Sequence, residues 1–144
     1  MLLQALQIGA LSCSNVAVHT LSSLGSGTFQ LLEQEILTHI NSRATYLTGE
    51  TCLRFIGENS PSPFIREVYN QLYRLMLWGH SLHMFFQNGE KSIFYDEYAE
   101  KLLEALHNYN IQGFAASLSE LIFLGISSSK KIMLQLGFDE KQLI

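Results

Sequence analysis

The chain has little proline, little charge and almost no cysteine. Its two prolines, Pro61 and Pro63, fall together in 144 residues, so nothing elsewhere forbids long helices. Charged residues make up 15% of the chain and hydrophobic ones 47%. That balance excludes an intrinsically disordered chain, because so much apolar surface has to be buried. The nine Lys and Arg are scattered among thirteen Asp and Glu, for a net charge of -4. A protein that grips duplex nucleic acid presents a basic face, so direct binding to DNA is not expected. The apolar opening, residues 1–11, is interrupted by Gln4 and Gln7 and falls short of the roughly 20 residues a bilayer span requires. No basic segment precedes it, as one would in a signal peptide. Neither a membrane nor export is expected. The two cysteines, Cys13 and Cys52, lack metal-ligand spacing and read as reduced core thiols of a cytoplasmic protein.

Catalytic motifs are missing as well. There is no Gly-rich phosphate loop, Cys-x-x-Cys pair, His-Glu-x-x-His helix or Gly-x-Ser-x-Gly elbow. No nucleophile–base pair or carboxylate dyad stands out, so an enzyme is not expected.

What the chain does carry is apolar residues recurring at three and four, the helix period, with no sustained alternation of two. Leu2, Leu3, Leu6 and Ala10 share a face of a first helix, and residues 16–24 form a second. Gly25-Ser26-Gly27 breaks it, and Thr28 offers an N-cap for a third with the stripe Leu31, Leu32, Ile36, Leu37 and Ile40. A fourth helix covers 43–58 with Tyr46, Leu47, Leu53 and Ile56, ending at Asn59-Ser60-Pro61-Ser62-Pro63. The longest pattern is Phe64, Val68, Leu72, Leu75, Gly79, Leu82 and Phe86, closed by Asn88-Gly89. Residues 92–108 turn Tyr95, Tyr98, Leu102, Ala105 and Leu106 inward. After Asn108-Tyr109-Asn110, a last helix with Ile111, Phe114, Ala115, Leu118, Leu121, Ile122 and Gly125 runs toward Leu136 and a C-terminal Gly137. The expectation is a single all-α domain, 1–144, an antiparallel bundle of about six to seven helices.

Five histidines occur: His19, His39, His80, His83 and His107. His80 and His83 sit three apart on one helix, but two ligands without a third do not make a metal site. Arg54 and Arg74 interrupt apolar helical stretches. Each can reach solvent or a neighbouring Glu, or point into a cavity and hold an anionic group. Trp78 reads as a core anchor or a cavity wall. Ser127-Ser128-Ser129, followed by Lys130 and Lys131, is either a weakened last turn or the polar mouth of a pocket.

From Thr48 onward the chain resembles the C-terminal effector domain of GntR-family transcription regulators, the FadR/FCD class. The residues that carry the resemblance are Leu53 to Pro63, where the family has a helix ending in a small-residue turn with Asn and Pro, and Leu102-Leu103-Glu104-Ala105-Leu106 followed by Asn110 and the helix from Ile111. Most members of the class place one Asp and three His around a metal. The corresponding residues here are Gly49, Leu53, Ala99 and Leu121, none of which can coordinate. The resemblance therefore implies the metal-free, fatty-acid-responsive branch, and no cofactor. That branch binds long-chain acyl-coenzyme A near a glycine and a serine of the last helix. Gly125-x-x-Ser128 has that spacing once the register is moved by two residues, with Ile132 where the family has an aromatic.

The resemblance implies a cytoplasmic homodimer that senses a fatty acyl-CoA or another apolar anionic effector. DNA would be read only by a winged-helix domain not found in this chain. The expected ligand-binding residues are Arg54, Trp78, His83, Tyr98 and Ser128. A rival expectation is a helical scaffold or protein-protein interaction module that dimerises without a small-molecule ligand.

Overall fold

A computed structural model describes residues 15–86 and 93–139. Among them the fold is all-α, with no strand. Residues 15–22 are helical (α1), and five longer helices follow: α2 (Ser26–Asn41), α3 (Thr48–Asn59), α4 (Pro63–Phe86), α5 (Ile93–His107) and α6 (Ile111–Gln135). A single 3-10 turn, Thr45–Leu47, leads into α3. The expected first helix from Leu2 to Ala10, Cys13 and the Asn88-Gly89 stop all lie outside the described residues.

The core forms where the apolar stripes converge. Leu32 and Ile36 of α2, Leu53 and Ile56 of α3, Tyr69 and Leu72 of α4, Leu102 and Leu106 of α5, and Phe114 and Leu118 of α6 are buried together. Helix α3 lies against α4, α5 against α6, and α6 also against α4, while α2 bridges α3 and α5. Two stripes run differently from the sequence expectation. On α4, Phe64 is 76% exposed and Tyr69 takes the inward place at 1%. On α2, Leu31 and Leu37 face outward and Phe29 joins Leu32 and Ile36 inside. In both helices the inward face is rotated by about a residue, because the stripe is set by the neighbouring helix and not by hydrophobicity alone.

Three helices stop by the same device. Ala44 N–H donates to the His39 carbonyl, Asn110 N–H to Ala105 and Phe138 N–H to Met133. In each case the preceding residue adopts positive φ: Arg43 at 58°, Tyr109 at 55° and Gly137 at 93°. These are Schellman closures, and only the third uses the expected glycine. Arg43 ends α2 instead of beginning the next helix, and the start of α2 belongs to Gly25 and not to Thr28. Asn110, expected only as part of a turn, caps α6, its side-chain oxygen accepting from Gly113 N–H at 2.9 Å.

Helix α6 has a mean hydropathy of 1.3 over an 18-residue window, and it is long and apolar enough to cross a membrane by those two measures. In this fold one of its faces, from Phe114 through Ile122 and Ile126 to Met133, is part of the core. Its other face leaves Phe123, Leu124 and Leu134 exposed.

Candidate functional site

Helix α3 begins immediately after the 3-10 turn, and Glu50 lies in its first turn. A carboxylate there complements the helix dipole and can accept one of the N–H groups that the helix leaves unpaired. Glu50 does both, accepting from its own backbone N–H. Yet the residue is 4% exposed, and its second oxygen, Oε2, is buried with no hydrogen-bond partner. Burial pushes the carboxyl from its ordinary 4.5 up to about 7. Thr48 Oγ1, two residues earlier in the same turn, is likewise buried and unpartnered.

A cleft of about 350 Å³ opens beside this carboxyl, at the lower end of the range for small-molecule sites (roughly 300–1,000 Å³). Its walls come from three helices: Glu35, Thr38 and His39 of α2, Glu50, Thr51 and Arg54 of α3, and Tyr73 and Leu77 of α4, with Leu47 at one end. His39 Nε2 lies 2.8 Å from Thr51 Oγ1. Burial lowers the imidazole's pKa, Glu35 raises it and Arg54 lowers it, for a net decrease, so His39 is neutral at pH 7. Arg54 Nη2 donates to Glu35 Oε2 at 2.8 Å. The same carboxyl acts on Tyr95 of α5, whose phenol is pushed up by burial and then by the charge of Glu50.

A second cleft of about 380 Å³ continues past Arg54 and Tyr73 along the α3–α4 seam, where Glu58, Arg66, Glu67 and Asn70 line it. The seam is tight because Gly57 lets the helices meet: a Cβ there would stand 2.9 Å from Tyr69 Cβ.

The residues expected from the sequence do not form one site. Arg54 alone lines these clefts, with its side chain 43% exposed and ion-paired. Trp78 and His83 lie on α4, as does His80, and their side chains are outside the described residues. Tyr98 clamps α5 to α6 by donating to Glu120 Oε2 at 2.6 Å, with Lys101 Nζ 4.8 Å from its ring centroid. That bond, with burial and the nearby acidic charges, raises its phenol to about 12. Ser128 is half-buried on α6, away from these clefts.

The four residues aligned with the family's metal ligands are all buried. Gly49 and Leu121 meet there, an ideal Cβ on Gly49 lying 3.3 Å from Leu121 Cδ2 and 3.6 Å from Met76 Cε. Hydrocarbon fills that contact. Among the described residues no group of three or more His, Cys, Asp or Glu could hold a metal ion.

Glu50, His39, Thr51 and Tyr73 were missed by sequence reasoning. One signal was available for Glu50: Tyr46, Glu50, Leu53 and Gly57 step by four, three and four, which puts a carboxylate on an apolar stripe.

Compared with known protein families, curated proteins and solved structures, the chain matches none.

Proposed function

We propose that this chain is a non-catalytic effector-sensing domain of the kind carried by metal-free GntR-type regulators. Its effector enters the cleft between α2, α3 and α4. The observation that carries this reading is Glu50. A buried acceptor without a partner costs stability, and Glu50 also belongs to the wall of a cleft of ligand size, where a ligand could offset that cost. Leu47, Leu77 and Tyr73 supply an apolar lining, which suits a largely hydrocarbon effector. Because the cleft is shared by three helices, a bound molecule favours one packing of α2 against α3 and α4. An attached DNA reader would feel that choice as a population shift, limited by the effector's differential affinity for the two packings.

The His39–Thr51 contact resembles half of a nucleophile–base pair. Thr51 is 6% exposed and stands in the first turn of α3, where its hydroxyl offers a substrate little access. The pair reads as a tether between α2 and α3.

A second reading has its own support. The exposed apolar side chains Phe123, Leu124 and Leu134 on α6 favour a dimerising scaffold, since grouped apolar side chains at a surface mark interaction sites. One measurement addresses both readings. Native mass spectrometry of the purified chain is expected to show a dimer retaining a small molecule. A dimer that stays empty, and whose melting midpoint does not move with any of a panel of acyl-CoA, carboxylate and amine compounds, would leave the scaffold reading standing.

A further inference from the structure

The polar end of the ligand can be read from the charges around the cleft. Arg54, the cation expected to hold an anionic effector, is already engaged with Glu35 at 2.8 Å. His39, held by Thr51, is kept neutral by its burial. With Arg54 balanced by Glu35 and His39 uncharged, the charge left over among the cleft-lining residues is that of Glu50, whose Oε2 has no partner. An arriving anion would meet this carboxylate and would have to displace Glu35 before reaching Arg54. An arriving cation that parts the side chains covering Glu50 gains an acceptor with no partner to give up.

The chemistry narrows the cation further. Hard metal ions require six or more oxygen ligands, or near-octahedral geometry with several waters. The described residues offer no such group. The walls beside Glu50 are Leu47, Leu77 and Tyr73, which match a hydrocarbon body. We propose that this cleft is a subsite for an organic ammonium ion, an amine on an apolar body, whose nitrogen donates to Glu50 Oε2. The assignment rests on the effector-sensing reading of the same cleft and departs from the anionic effector that the sequence resemblance implies.

Binding of this kind is coupled to protons. The polar groups that share the cleft with Glu50 are Glu35, Thr38 and His39 from α2, Thr51 and Arg54 from α3 and Tyr73 from α4, and Tyr95 of α5 feels its charge. Near pH 7 the carboxyl is half protonated in the empty protein, and an ammonium selects the carboxylate. Affinity therefore rises with pH through 7 and levels off until the amine itself loses its proton.

Isothermal titration of the full chain with hexylammonium, hexanoate and 1-hexanol, matched in length, tests the assignment. Hexylammonium is expected to bind, and more weakly at pH 5.5 than at pH 8 by roughly thirtyfold, the ratio of ionised fractions for a carboxyl near 7. At pH 7 its heat is expected to differ between phosphate and Tris, because a proton is released. Glu50→Gln is expected to abolish this binding with the helical circular dichroism unchanged. The buffer comparison needs no variant, so it decides the matter even if Glu50→Gln fails to fold. Binding of hexanoate or 1-hexanol in preference would overturn the ammonium assignment and leave the sensor reading in place. So would hexylammonium heats that are the same in both buffers. Failure of all three probes, together with an empty chain in native mass spectrometry, would remove the sensor reading as well.

Discussion

The two sides of the bundle are built to different rules. On the α5–α6 side, polar groups find partners: Tyr98 donates to Glu120, Asn110 caps Gly113, and Lys101 pairs with Glu97 at 3.1 Å. Beneath them Ala99, Leu102, Phe114 and Leu118 are fully buried. A neutral hydroxyl, Ser119 Oγ, is the buried unpartnered group recorded there. On the α2–α3–α4 side the core is as apolar, but a carboxyl oxygen is buried without a partner and an imidazole is desolvated beside it. The first side leaves a neutral hydroxyl unpartnered, the second a carboxyl oxygen, which is the costlier group to bury. A folded scaffold has no need to keep that larger cost, and the contrast locates function more sharply than either side alone.

Truncating the α5–α6 side should have the largest effect. Leu102 is fully buried between α5 and its neighbours, and Leu102→Ala is expected to cost about 2–5 kcal/mol in urea denaturation. A smaller cost would mean that this side relaxes around a void, and the contrast with the cleft would blur.

Next in size is the pH-dependent effect of Glu50. Its folded pKa, about 7, lies above the unfolded 4.5, so the folded state prefers the protonated form. The resulting stability is fully present below about pH 4.5 and is lost as pH rises through 7. The full loss is about 3 kcal/mol, from 1.36 kcal/mol per pKa unit. Glu50→Gln holds the site neutral at every pH. Relative to the native chain it is expected to gain about 3 kcal/mol of stability more at pH 8 than at pH 4. A difference that stays flat between those pH values would show Glu50 to be solvated, and the cleft would lose its distinguishing feature. A third, smaller effect belongs to the α5–α6 side: Asn110→Ala removes the cap of α6 and is expected to cost about 1 kcal/mol at all pH values.

How far the sequence revealed this contrast depends on whether an interaction is local. The helices and the Gly137 stop follow from residues within one turn of each other and were legible; the Asn110 cap is as local, but only the turn that holds it was read. Arg43 and Tyr109 were not, because left-handed closures at non-glycine residues are held by their surroundings. Tyr109 packs edge-on against Phe29, ring centroids 5.9 Å apart, a contact eighty residues away in the chain. The inward places of Tyr69 and Phe29 depended on which neighbour each helix meets. The site was the least legible part. Arg54 was singled out, but its partner Glu35 lies nineteen residues earlier. The burial of Glu50 arises only when α2 and α4 close over α3, and Tyr95 reaches it from another helix.

The smallest change in stability is also the sharpest probe of the cleft. The Arg54–Glu35 pair is nearly half exposed on both sides, 43% and 47%, so breaking it with Glu35→Gln is expected to cost less than about 1 kcal/mol. Its chemical consequence is larger, because Arg54 then becomes a free cation at the mouth of both clefts. Loss of Glu35 also removes the charge that raises the His39 pKa, leaving burial and Arg54 to lower it further. The variant is therefore expected to take up hexanoate, which the native chain should refuse, and Arg54→Gln in the same background should abolish the gain. If Glu35→Gln leaves carboxylate binding unchanged, Arg54 is only a surface partner of Glu35, and ligand selectivity on this side of the bundle falls to Glu50 alone.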